Sequence, residues 1–131
     1  MNNKIFTVNN FEKIVKNLKS KRKSIVLCHG VFDLLHIGHI KHLEFAKKSG
    51  EILVVSLTKD KFINKGLGRP VFNQNIRAEM VSNLSLVDYV VINDLNSAED
   101  ILTILKPNFY CKGVEYKEKK KWFYKKNLFR T

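Results

Sequence analysis

The sequence predicts an α/β fold built on an open parallel sheet with helices on both faces. Three observations carry this reading. Short, continuously apolar runs recur along the chain: Ser24–Cys28 (SIVLC), Ile52–Leu57 (ILVVSL), Tyr89–Ile92 (YVVI) and Phe109–Cys111. Runs without polar alternation suit strands covered on both faces, as in a parallel sheet. Between them lie segments of helical periodicity, and strands alternating with helices describe βαβ units. Finally, 131 residues, 44% of them hydrophobic, suffice for one domain around a single core.

Taken in order, Asn9-Asn10 followed by Phe11, Ile14, Val15 and Leu18 predicts an amphipathic helix over 9–19 with an asparagine cap. Lys19 to Lys23 forms a basic loop before the first strand, Ser24–Cys28. The stretch HGVFDLLHIGH follows, and Ile40–Lys48 reads as a helix closed by Gly50. Ile52–Leu57 is the second strand. Thr58–Phe72 is a longer loop holding Lys59, Lys61, Lys65, Gly66, Gly68, Arg69 and Pro70.

Asn73 caps the next helix, whose apolar positions are Ile76, Met80, Val81 and Leu84. Tyr89–Ile92 is the third strand. Asn96 with Glu99, or Ser97 with Asp100, starts a capping-box helix to Leu105, which Pro107 ends before the fourth strand, Phe109–Cys111. From Lys117 the periodicity fades into KEKKKWFYKKNLFRT, which predicts no element, although Trp122, Phe123, Tyr124 and Phe129 suggest docking. The result is a Rossmann-like domain over 1–116 with a basic tail over 117–131.

The net charge of +12 is uneven, with +6 falling in the 21 residues from Cys111 onward. Such a balance favours anionic partners: nucleotides, phosphorylated metabolites or nucleic acid. A charge run is usually a solvated face, and no nucleic-acid-binding motif accompanies the aromatics of KKKWFYKK, so nucleic acid is not an expected partner. No run approaches the roughly 20 apolar residues of a membrane span. No secretory leader is visible, so cytoplasmic placement is the default and a membrane is not an expected partner. Cys28 and Cys111 each end a strand-like run and read as buried, reduced thiols.

All four histidines, at 29, 36, 39 and 42, fall within fourteen residues. The stretch sits just beyond the first strand and at the mouth of a helix. In an open α/β sheet, ligands bind in that crevice at the carboxyl ends of the strands. Gly30 and Gly38 permit close approach of backbone to a ligand, and the free N–H groups of a helix N-terminus form an anion site. His36 and His39, three residues apart, can both donate to phosphate oxygens from that opening. A zinc site on His-x-x-His is the rival reading, with Asp33, His29 or His42 as third ligand, but the usual further ligand pattern is missing. The expected protein-held metal set is therefore none.

GVFDLLHIGH closely resembles the signature of the cytidylyltransferase-like nucleotidyltransferases, which include glycerol-3-phosphate cytidylyltransferases and heptose-1-phosphate adenylyltransferases. KGLGRPV (Lys65 to Val71), Arg77, VDYVV (Val87 to Val91) and KGVEY (Lys112 to Tyr116) follow in the family's order. They look most like the sugar-phosphate branch typified by the heptose enzymes.

The resemblance implies nucleotidyl transfer. AMP or CMP passes from a nucleoside triphosphate, ATP or CTP, to a phosphorylated sugar or polyol, and pyrophosphate leaves. By the same resemblance His36, His39 and Lys65 are catalytic. Gly30, Val31, Phe32, Gly38, Arg77, Lys112 and Gly113 bind nucleotide, and Asp33 orients the acceptor. Mg²⁺ is expected with the triphosphate, carried by phosphate oxygens and water. Oligomeric state is open, a homodimer included.

Relatives continue past KG-x-[DE]-Y to a Ser/Thr-rich motif that closes over the nucleotide; this sequence shows none. A truncated or divergent member with a site open on one side is the expectation, and a nucleotide binder without catalysis is the alternative.

Overall fold

The computed structural model describes residues 3–63, 66–95, 98–113 and 122–126, the last segment and residues 112–113 as backbone alone. Six strands, β1 (Ile5–Thr7), β2 (Ile25–Gly30), β3 (Ile52–Thr58), β4 (Tyr89–Asn93), β5 (Phe109–Gly113) and β6 (Trp122–Lys126), form one sheet in the order β1-β4-β3-β2-β5-β6. The first five run parallel and β6 pairs antiparallel with β5. Helices α1 (Val8–Ser20), α2 (Ile37–Lys47), α3 (Gln74–Ser82) and α4 (Ala98–Leu105) connect the parallel strands. This is the Rossmann-like α/β architecture predicted from the alternation of apolar runs and helices.

The central strands are buried on both faces, and each face has its own core. Val26, Cys28, Leu53, Val55, Val90 and Cys111 pack against Leu43 and Ala46 of α2 and Ala78 and Val81 of α3. Ile25, Leu27, Val54 and Val91 pack against Val8, Phe11 and Val15 of α1 and Ile101, Leu102 and Leu105 of α4. Alternate residues of one strand thus serve opposite layers, which is why the strand sequences show no polar alternation.

Several boundaries differ from the sequence reading. The Thr7 hydroxyl, not Asn9 or Asn10, caps α1 by accepting from the Asn10 N–H at 3.3 Å, because Val8 already belongs to the buried stripe. β1, three residues long at the sheet edge, is too short to show a period. In α3 the Asn73 cap forms as expected, its Oδ1 accepting from the Ile76 N–H at 2.9 Å. The buried face is Arg77, Ala78, Val81 and Ser82, however, and Ile76 stays 43% exposed. α2 starts at Ile37, three residues earlier than apolar spacing suggested.

β6 lies inside the stretch read as a tail. Its sequence carries no strand period because its pairing comes from β5, from Phe109↔Lys126 to Gly113↔Trp122. An edge strand can be recruited by a neighbour's unpaired N–H and C=O groups without any hydrophobic alternation of its own. The capping residues Asn96 and Ser97 lie outside the described residues.

Candidate active site

The chain proceeds from β2 to β3 to β4 on one side, then returns to place β5 on the other side of β2. The strand order therefore reverses at β2, and the crevice between the carboxyl ends of β2 and β5 is where such sheets bind ligands. The turn leaving β2 opens into it. β2 and β5 pair as far as Cys28↔Cys111, beyond which β2 runs on through His29 and Gly30 and β5 through Lys112 and Gly113. The fold thus brings the HGVFDLLHIGH turn and the KG segment to neighbouring strand ends.

Phe32 makes the turn sharp. Its φ of +51° is left-handed, a conformation uncommon outside glycine, and its ring is buried against His39 with centroids 5.2 Å apart. Gly30 makes room for it: a Cβ there would sit 2.9 Å from the Phe32 ring. The Val31 carbonyl accepts from Arg77 Nη1 at 2.8 Å, which pins the turn from below.

His36 and His39 cap α2 reciprocally. The Gly38 N–H donates to His36 Nδ1 at 3.0 Å, and the His36 N–H donates to His39 Nδ1 at 3.1 Å. The N–H groups of His39 and Ile40 bond to the His36 carbonyl at 2.9 and 3.2 Å. Of the backbone N–H groups at the helix mouth, those of His36, Gly38, His39 and Ile40 are thus engaged within the cap. An Nδ1 that accepts from a backbone N–H carries no proton, so in the neutral ring Nε2 must carry it. Both rings, centroids 4.1 Å apart, therefore hold an Nε2–H donor at the positive end of a helix. His36 is exposed and His39 half-buried.

Gly38 serves this geometry. A Cβ would lie 2.7 Å from His36 Cε1, inside contact distance, so the folded-back imidazole needs a glycine two residues on. Gly38→Ala is expected to turn the His36 ring away, lowering turnover by about tenfold or more and costing the helix a cap worth about 1 kcal/mol. Unchanged kcat in that variant would show that the ring's position does not matter.

Two residues expected to touch ligand are engaged elsewhere. Asp33 is buried, and its oxygens accept from the N–H groups of Val71 (2.7 Å) and Phe72 (2.9 Å) and from Arg69 Nη1 (3.2 Å). Burial opposes its ionisation, but the Phe72 and Val71 N–H groups and the Arg69 guanidinium outweigh it and hold the carboxyl below its usual value. Asp33 thus ties the Arg69–Phe72 loop to the site. Arg77, expected to neutralise phosphate, is fully buried. Its Nε, Nη1 and Nη2 donate to the Phe72 carbonyl (3.0 Å), the Val31 carbonyl and Asp60 Oδ1 (2.6 Å). With every guanidinium nitrogen engaged below the surface, it clasps three segments rather than facing the crevice. Lys65 lies outside the described residues, as does Tyr116.

The other two histidines leave the opening altogether. His29 Nδ1 lies 2.6 Å from Ser56 Oγ and Nε2 lies 3.3 Å from Thr58 Oγ1, both on β3. His42 is buried beside Cys28 and Cys111. Among the described residues no third His, Cys, Asp or Glu joins His36 and His39 in a metal-binding group, so the His-x-x-His zinc reading has no ligand set here.

Burial pushes the His29 imidazole down from its usual 6.5 to about 4. Between those values the unfolded chain binds the proton and the folded chain does not, so stability falls as pH drops through that window. The loss is on the order of 3 kcal/mol once both values are passed. Urea melts at pH 7, 5.5 and 4.5 should show the decline, and His29→Asn should flatten it.

The cytidylyltransferase-like family profile matches residues 27–128. The chain is 41% identical over 125 residues to the bifunctional protein HldE of Campylobacter jejuni subsp. doylei, covering 88% of this chain and 27% of that protein. It is 38% identical over 120 residues to the bifunctional protein HldE of Aliarcobacter butzleri, covering 90% and 25%. The chain therefore spans about a quarter of the length of these curated relatives. A crystal structure of the lipopolysaccharide core biosynthesis protein from Thermoplasma volcanium superposes with a TM-score of 0.59 at 33% identity, over 66% of this chain and 70% of that one. No helix among the described residues is long and apolar enough to cross a membrane. Ordered motifs, sheet order and matched sequence agree: the chain belongs to the cytidylyltransferase-like family of nucleotidyltransferases.

Proposed function

We propose that this domain transfers AMP or CMP from ATP or CTP to a phosphorylated sugar, with pyrophosphate as the leaving group. The observation that carries the proposal is the reciprocal capping of α2 by His36 and His39, which sets two imidazole rings side by side at the mouth of the helix. Similarity to a protein named for lipopolysaccharide core biosynthesis supports a sugar phosphate as acceptor.

A phosphate oxygen of the acceptor attacks the α-phosphorus in line, and the bond from the α-phosphorus to the α,β-bridging oxygen breaks, releasing the β- and γ-phosphates as pyrophosphate. Positioning and charge stabilisation dominate such reactions, since the protein forms no covalent bond. His36 and His39 donate to triphosphate oxygens on which charge builds up. Lys65 is proposed as a further cation on the leaving group, and Lys112 and Gly113 line the nucleotide side. Gly30, Val31 and Phe32 shape the floor beneath the α-phosphate.

Asp33 acts on the acceptor through the loop it tethers, and Arg77 acts by holding the turn. Mg²⁺ enters with the triphosphate as part of the co-substrate. Asp33, the carboxylate nearest the histidines in the sequence, is committed to the Val71 and Phe72 N–H groups, and the ion would be ligated by phosphate and water.

The test is a panel: purified chain, Mg²⁺, each of ATP, CTP, GTP and UTP, and a set of sugar and polyol phosphates, read as pyrophosphate release. Turnover with one triphosphate and one acceptor class establishes the activity. Triphosphate binding without pyrophosphate from any pair would instead favour a non-catalytic nucleotide binder.

A further inference from the structure

One cluster lies outside the site described above. Cys28 of β2, Cys111 of β5 and His42 of α2 bring Sγ, Sγ and a ring nitrogen within 4.8 Å of one another. Cys28 and Cys111 are opposite one another on adjacent strands, with side chains in the same core layer, and α2 lays His42 over them. Exposure is 0% for both cysteines and 5% for the histidine. Neither cysteine is in a disulfide.

We propose that Cys28, Cys111 and His42 form a buried three-ligand site for Zn²⁺. Bonds of about 2.3 Å to sulfur and about 2.05 Å to nitrogen set sulfur and nitrogen ligands roughly 3.5–3.8 Å apart, for angles from tetrahedral to trigonal. Cys111 Sγ and His42 Nδ1 already stand at 3.8 Å. The 4.8 Å limit leaves the remaining pairs no more than about 1 Å to close.

The donor set selects the ion. Thiolate and imidazole favour zinc and copper(I) over magnesium, calcium or manganese. Two thiolates exactly cancel a divalent charge and would leave copper(I) with a net negative charge in an apolar core, where an uncompensated charge is costly. Binding is Zn²⁺ plus two thiols giving a neutral dithiolate complex and two released protons, so no redox partner is required. The ion would fasten α2 to β2 and β5 three residues after His39. It would therefore steady the helix whose first turn carries the two capping histidines.

Untagged full-length chain, purified in reducing buffer without chelator, should carry about one zinc per chain by elemental analysis. The His36→Ala/His39→Ala double variant should keep that zinc, which separates this site from the exposed pair. Cys28→Ala/Cys111→Ala should lose it. Should that variant fail to fold, wild-type chain refolded with Co²⁺ supplies the readout. Thiolate-to-cobalt charge-transfer absorption is the expected spectrum.

Zinc-free chain with two titratable thiols, no cobalt spectrum and a melting temperature unmoved by added Zn²⁺ would overturn the proposal. Stoichiometric copper(I), a Cys28–Cys111 disulfide, or zinc lost from the His36/His39 variant would overturn it equally.

Discussion

Replacing His36 or His39 by alanine is expected to lower kcat by about 10²–10³, the scale of removing one preorganised donor from a site where charge develops. In the proposed mechanism each imidazole has two jobs: its Nδ1 caps α2, and its Nε2–H would donate to the triphosphate. Alanine removes both. His36→Asn separates them, since asparagine is a strong N-cap but does not reach as far as an imidazole Nε2. That variant should melt within about 0.5 kcal/mol of wild type, as expected when a cap is preserved, and still be slow. Single-turnover kinetics at saturating triphosphate would check it. Normal turnover in His36→Ala and His39→Ala would remove both residues from the mechanism.

The largest stability effect is expected at Arg77. Arg77→Met should cost about 3–5 kcal/mol, as breaking a buried charge cluster does. For a chain of this size that corresponds to a melting temperature lowered on the order of 10 °C. The guanidinium joins the carbonyls of Val31 and Phe72 to the carboxylate of Asp60, so methionine leaves two carbonyls and one carboxylate without their donor. Asp60, 37% exposed, recovers part of its solvation from water; the loss is centred on the carbonyls. Arg77→Lys should rescue little, since one ammonium cannot span three acceptors in fork geometry. Activity should fall along with stability, because the Val31 turn loses its anchor. Guanidinium melts and kcat on the same preparations test both. A loss under 1 kcal/mol in Arg77→Met would contradict the clasp.

The sequence by itself determined the architecture. Four continuously apolar runs separated by helical periods leave a two-sided parallel sheet as the packing that buries them all, and the histidine stretch falls after the first run, at the carboxyl edge. Position in the fold followed from local pattern, because strand and helix periods are local quantities. What side chains do with their polar atoms is not local. Arg77 and the loop-bound Asp33 look the same in sequence whether they face phosphate or the interior; only the approach of Val31, Asp60 and Phe72 decides.

The start of α2 was hidden for a related reason. Histidine is not a usual capping residue, and its role rests on two imidazoles reaching back to backbone N–H groups. β6 pairs through β5's backbone edge, which no side-chain period records. Cys28, His42 and Cys111 are spread over 84 residues of chain. They became neighbours only when β5 crossed back to lie beside β2, since parallel register sets which distant residues share one core layer.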